Sequence, residues 1–144
     1  MEESLKGFDS YIRKKFHIRD VDLRTYSPLT LAFIGDSIYD LVVRTIIVGR
    51  GNARPNHLHR ETASIVKASA QAKAMDKIEG LLTEEEMEIF KRGRNANSAT
   101  TAKNASKADY RRATGFEALI GFLYLSDQTD RMLELIKEAL FDHE

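Results

Sequence analysis

Two carboxylates stand where the chain is most apolar. Asp36 lies in LAFIGDSIYDLVV (Leu31–Val43), and Glu117 lies in TGFEALIGFLYL (Thr114–Leu125). A lone carboxylate is costly to take out of water, so each needs a partner, a proton or a cation. No Lys or Arg falls within one helical turn of Asp36, and Arg44 is two turns away. Arg111 and Arg112 precede Glu117 by more than a turn. Two carboxylates brought together repel unless a divalent cation sits between them. Oxygen-only ligands of this kind suit Mg²⁺ or Mn²⁺. Gly35 just before Asp36 and Gly115 just before Glu117 would let another helix approach closely. The competing account is structural, with each acid capping a neighbouring helix or pairing with a distant Arg. Asp40, one turn after Asp36, is placed to pair with Arg44 at i+4.

Other chemistries find less support. With no Cys, the chain has no disulfide scaffold, thiolate metal site or thiol nucleophile, which fits a reducing compartment and a cytoplasmic location. There is no GxSxG and no P-loop. His57 and His59 are two apart near an expected helix start, so they point to different faces and read as part of a basic surface. Tyr39 and Tyr124 read as core residues with a polar tip.

The elements that must position the two acids are helical. Leu5, Phe8 and Ile12 suggest a short N-terminal helix. Ser27-Pro28 is a helix start, Ser as cap and Pro in the first turn. That helix should run to about Val48 and stop at Gly49 and Gly51. A second long helix is expected from Pro55 to about Glu79, with small residues for close packing. Thr83 and Glu86 form a capping box for a short acidic helix ending near Gly93. Gly93–Lys107 lacks hydrophobic periodicity and reads as a loop. Helices near Ala108–Leu125 and Thr129–Phe141 complete the chain. The fold class is all-α, about six helices in one domain spanning 1–144, with a core of about 26–140 after an N-terminal extension. Met1–Lys15 is too charged for a signal peptide. Leu29–Val48 is interrupted by Asp36, Asp40 and Arg44, which makes membrane insertion costly.

The 144 residues carry 22 basic and 22 acidic side chains, and a net charge of zero taken alone argues against a nucleic-acid partner. The distribution argues otherwise. Arg50–Lys73 holds five basic residues against Glu61, a net of +4, and Lys91–Arg112 holds seven against Asp109, a net of +6. The acids concentrate in Asp76–Phe90, net −5, and Ser126–Glu144, net −4. The second basic stretch also carries Asn, Ser and Thr side chains suited to phosphates and ribose hydroxyls. A solvated mixed-charge face is the plainer alternative. On these grounds alone a nuclease, a non-catalytic helical RNA-binding module and a metal-independent interaction protein all stay open.

LAFIGDSIYD resembles the signature helix of the ribonuclease III catalytic domain, and FEALIGFLYL resembles that family's second acidic helix. LHRETASIV at Leu58–Val66 is similar to the helix that follows the signature. The short chain and Lys91–Leu119 resemble the family's Mini-III branch, a catalytic domain without a double-stranded-RNA-binding domain. The resemblance spans about Tyr26 to Leu140. It implies an all-helical, homodimeric endoribonuclease that cleaves double-stranded RNA with Mg²⁺, Mn²⁺ being a substitute, to leave 5′-phosphate and 3′-hydroxyl ends. For the Mini-III branch it implies maturation of the 23S ribosomal RNA precursor, and it leaves room for a ribosomal protein that presents the substrate. Asp36 and Glu117 match the metal-binding catalytic acids, and Phe33 matches an aromatic at the dimer interface. Fuller members carry further acids where this chain has Leu29, Ala32, Pro55 and Thr114. His59, Lys67, Gln71 and Lys73 on one helix, and Arg94, Asn95 and Lys103 in the following basic stretch, are the candidates for RNA contacts.

Overall fold

The computed structural model describes residues 7–96 and 106–141. Among them are seven α-helices, two short 3-10 turns and no strand. The helices are α1 (Phe8–Lys15), α2 (Pro28–Gly49), α3 (Pro55–Val66), α4 (Ala68–Ile78), α5 (Glu84–Arg94), α6 (Lys107–Leu125) and α7 (Thr129–Leu140). No helix among the described residues is long and apolar enough to cross a membrane.

Side-chain caps open three of these seven helices. Ser27 Oγ accepts the Thr30 N–H at 3.2 Å and Pro28 opens α2. At α5, Thr83 Oγ1 accepts the Glu86 N–H at 3.2 Å while the Glu86 carboxylate accepts the Thr83 N–H at 2.9 Å. Ser106 Oγ accepts the Asp109 N–H at 3.0 Å and caps α6. Each such cap contributes about 1 kcal/mol. The expected helix from Pro55 to Glu79 is instead two helices, broken at Lys67, whose backbone is extended (φ −65°, ψ 156°). No Pro or Gly marks this break. It is set by packing, because α3 lies on α2 while α4 lies on α6 and α7, and one straight rod cannot follow both.

The core is organised around α6. Apart from Glu117, every residue from Ala113 to Tyr124 is buried, as expected of a helix enclosed on all sides. Phe116, Leu119, Ile120 and Leu123 are fully enclosed, and each contributes roughly 1.5–3 kcal/mol through burial. The crossing of α2 and α6 is unusually close. A Cβ on Gly35 would lie 1.8 Å from the Glu117 carbonyl oxygen, and one on Gly121 would lie 1.9 Å from the Leu31 carbonyl oxygen. Gly115 serves another contact, pressing against Phe90 of α5, where Gly93 approaches it in turn. So Gly121, rather than Gly115, is the glycine of α6 that admits α2.

Ion pairs tie the outer helices to this centre. Glu86, only 3% exposed, accepts hydrogen bonds from Arg131 Nε at 2.9 Å and Nη2 at 2.8 Å. Arg131 also donates to the Leu81 carbonyl at 2.8 Å, so one side chain joins α7 to both ends of the turn before α5. This pairing holds the Glu86 carboxyl below the usual range, against the opposing effect of burial. Asp40 pairs with Arg44 at 2.8 Å, as the spacing predicted.

Gly121→Ala should therefore cost about 3 kcal/mol or more, since the added methyl meets a backbone carbonyl that cannot yield. Gly80→Ala, with open space around it, should stay within about 0.5 kcal/mol of wild type. Urea unfolding of the two variants measures the contrast, and equal midpoints would refute the close crossing.

Candidate active site

The Gly35–Gly121 crossing sets the two acids side by side. Asp36 follows Gly35 on α2, Glu117 lies one turn before Gly121 on α6, and the Glu117 carboxyl has Asp36 as its charged neighbour. Their environments differ. Asp36 is exposed, contrary to the expectation that both acids are sequestered, while Glu117 is largely enclosed. Position on the helix explains this, because α2 is covered on one side only and α6 all round. Burial, then the neighbouring Asp36 carboxylate, push Glu117 up to about 8. The Gln71 amide acts in the opposite direction.

Among the described residues, no ion pair or helix cap uses either acid. Arg44 is engaged by Asp40, and Arg112 by Asp76 at 2.6 Å and Glu79 at 2.7 Å. The helix caps recorded at the starts of α2, α5 and α6 use Ser27, Thr83 and Ser106. The result is an oxygen-rich pair with no counterion among the described residues. Beside it, Gln71 Oε1 is buried without a hydrogen-bond partner. This donor set fits a hard divalent cation. No group of three or more His, Cys, Asp or Glu among the described residues could hold a metal ion. Two carboxylates would thus leave most of the coordination shell to water, a pattern that suits Mg²⁺. Ala32 and Thr114, where fuller family members carry acids, are both buried, and the Thr114 hydroxyl donates to the Tyr110 carbonyl at 3.0 Å.

The expected RNA contacts divide. His59, Lys67, Lys73 and Asn95 are exposed. Arg94 is half-buried, with its guanidinium 5.7 Å from the centre of the Phe90 ring and its Nε donating to Asn95 Oδ1 at 3.2 Å. Gln71 is not on the solvent face with Lys67 and Lys73. It is 2% exposed and turned inward, donating from Nε2 to the Val66 carbonyl at 2.8 Å and to Glu117 Oε2 at 3.4 Å. The break at Lys67 re-aims α4 and so decides this; nothing in the local sequence signals it. Lys103 and most of the expected Gly93–Lys107 loop lie outside the described residues. Phe33, one turn before Asp36 on α2, is 80% exposed. Tyr39 is a core residue as expected, edge-on to Phe116 at 4.9 Å, although its hydroxyl has no partner.

A raised carboxyl makes stability pH-dependent with a definite sign. The unfolded chain releases the Glu117 proton near 4.5 and the folded protein near 8, so the folded state binds more protons in between. Stability must therefore fall as pH rises through that window. In chelator, the melting temperature should drop from pH 5 to pH 8.5, and Glu117→Gln should flatten the drop. Equal pH slopes for the two proteins would remove the buried, Asp36-coupled carboxyl from the account.

The chain matches the Ribonuclease III domain family over residues 29–128. It is 48% identical over 117 residues to Mini-ribonuclease 3 of Clostridium tetani, covering 81% of this chain and 78% of that one. It is 44% identical over 137 residues to Mini-ribonuclease 3 of a Thermoanaerobacter species, covering 95% and 94%. The fold superposes on a crystal structure of a Fusobacterium nucleatum protein with a TM-score of 0.76 at 33% identity, covering 84% of this chain and 98% of that one. With the paired acids at the crossing of its two most apolar helices, the chain belongs to the ribonuclease III family, among the endoribonucleases of the Mini-ribonuclease 3 kind.

Proposed function

We propose that this endoribonuclease hydrolyses phosphodiester bonds of double-stranded RNA, with Asp36 and Glu117 as its catalytic residues and as the ligands of Mg²⁺. The observation that carries this reading is the pair of neighbouring carboxylates at the α2–α6 crossing, with no counterion paired to them among the described residues. Bound there, the cation supplies an acidified water and offsets the negative charge that develops on the phosphate and the leaving oxygen. Mn²⁺ offers the same oxygen chemistry. The water oxygen joins the phosphorus as the bond to the 3′-oxygen breaks, a proton from the water ends on that oxygen, and the products are a 5′-phosphate and a 3′-hydroxyl. Asp36 meets solvent and stands on the side from which a phosphate arrives. Glu117 is enclosed behind it and must give up its proton to act as a ligand.

A-form RNA is read by shape, phosphate and 2′-hydroxyl contacts rather than by base edges in its deep major groove. His59, Lys67, Lys73 and Asn95 are exposed side chains suited to those contacts. Arg94, held over Phe90, presents a preset guanidinium to the same backbone. Two copies of the site, one for each strand, follow if the protein is a homodimer. Phe33 supports that arrangement, because an aromatic 80% exposed on the same helix as the exposed Leu29 and Leu41 is a surface that calls for cover. The 23S ribosomal RNA precursor in the cytoplasm is the substrate we assign from the Mini-III resemblance. A ribosomal protein that presents this precursor is a compatible partner.

Incubation with a 23S precursor duplex, with Mg²⁺ and with chelator, tests the reading. Asp36→Asn and Glu117→Gln should abolish cleavage while keeping a folded protein that binds the duplex. Cleavage by either variant near the wild-type rate would overturn the site. Phe33→Glu should convert a dimer into a monomer by light scattering, and an unchanged mass would reject Phe33 as its anchor.

A further inference from the structure

Gln71 is a buried polar side chain at the active site to which the reaction above gives no part. It lies on α4, four residues after the extended Lys67, and is 2% exposed. Its Nε2 donates to the Val66 carbonyl at 2.8 Å. That bond satisfies a carbonyl at the C-terminal end of α3, which the helix break would otherwise leave open. It also fixes which way the amide faces. The same Nε2 reaches Glu117 Oε2 at 3.4 Å, a long contact made across 46 residues of sequence. The other end of the amide, Oε1, is enclosed and has no partner. Orphaned acceptors of this kind are rare and each calls for an explanation.

A purely structural role explains the Val66 bond alone. It does not explain why the amide also reaches Glu117, or why its oxygen is buried next to the acids with nothing to accept from. We propose that Gln71 is a positioning residue: its N–H holds the Glu117 carboxylate facing Asp36, and its Oε1 accepts a hydrogen bond from a water of the cation's hydration shell. This rests on Asp36 and Glu117 being the ligands of that cation. Outer groups that orient metal ligands and their waters generally matter for affinity by ten- to a hundredfold.

The test uses the full chain and Mn²⁺ alone as probe. Gln71→Leu and Gln71→Met remove the amide, and Met, unbranched like Gln, fills the same space if Leu does not fold. By calorimetry without RNA, Mn²⁺ affinity should fall about tenfold or more. At saturating Mg²⁺, kcat should fall while KM for duplex RNA stays unchanged. A structural role would lower the melting temperature and leave the Mn²⁺ affinity of the folded protein as it was. Wild-type Mn²⁺ affinity in a folded Gln71 variant overturns the proposal. Glu117→Gln run in parallel separates the two failures. Loss of Mn²⁺ there with retention in the Gln71 variants defeats Gln71 alone, and retention in Glu117→Gln defeats the metal site itself.

Discussion

The close crossing of α2 and α6 is the constraint on which the rest depends. Two backbones touch there because Gly35 and Gly121 present no side chain, each leaving room for a carbonyl of the opposite helix. Any Cβ at either position would push the helices apart and carry Asp36 away from Glu117. The site is thus held by the least adjustable atoms in the protein, on two rigid rods. A carboxylate pair that repels needs such a scaffold. Flexible loops would let the acids separate and relieve the repulsion.

The same geometry stores an electrostatic cost. Glu117 is enclosed on the central helix and faces a second acid, so burial and Asp36 together favour its protonated form. The core around α6 offsets this. Phe116, Leu119, Ile120 and Leu123 are removed from water completely on the same helix. Elsewhere the fold treats a buried acid in the ordinary way. Glu86 is only 3% exposed, yet Arg131 and the Thr83 N–H satisfy both of its oxygens. The contrast between a paired Glu86 and an unpaired Glu117 separates an acid that stabilises the fold from one that is available for chemistry.

The break at Lys67 is the second decision that matters for the site. It divides one expected helix into a piece that follows α2 and a piece that follows α6. The turn aims the Gln71 amide at Glu117 and leaves Lys67 and Lys73 outside. Basic residues and the amide therefore serve different surfaces, although they alternate within seven residues of sequence.

Much was legible in the residues alone. Helix starts at Ser27 and Thr83 are written in local hydrogen-bonding side chains, and their signals act within a turn or two. The apolar runs of α2 and α6 are visible because burial selects their composition. Asp36 and Glu117 stand out because a charge in such a run is costly, and the pairing of Asp40 with Arg44 follows from i+4 spacing. Other features were decided only in three dimensions. Whether Gly115 or Gly121 meets α2 depends on the crossing point, which the α5 contacts at Phe90 shift along α6. The exposure of Asp36 depends on α2 being covered on one side only. The Lys67 break has no Pro or Gly to announce it, since it arises from two different packing partners. Gln71 is buried for that reason alone. Local signals set where helices begin, whereas contacts between residues distant in sequence choose the faces that meet, and it is those faces that bring the two acids and the amide together.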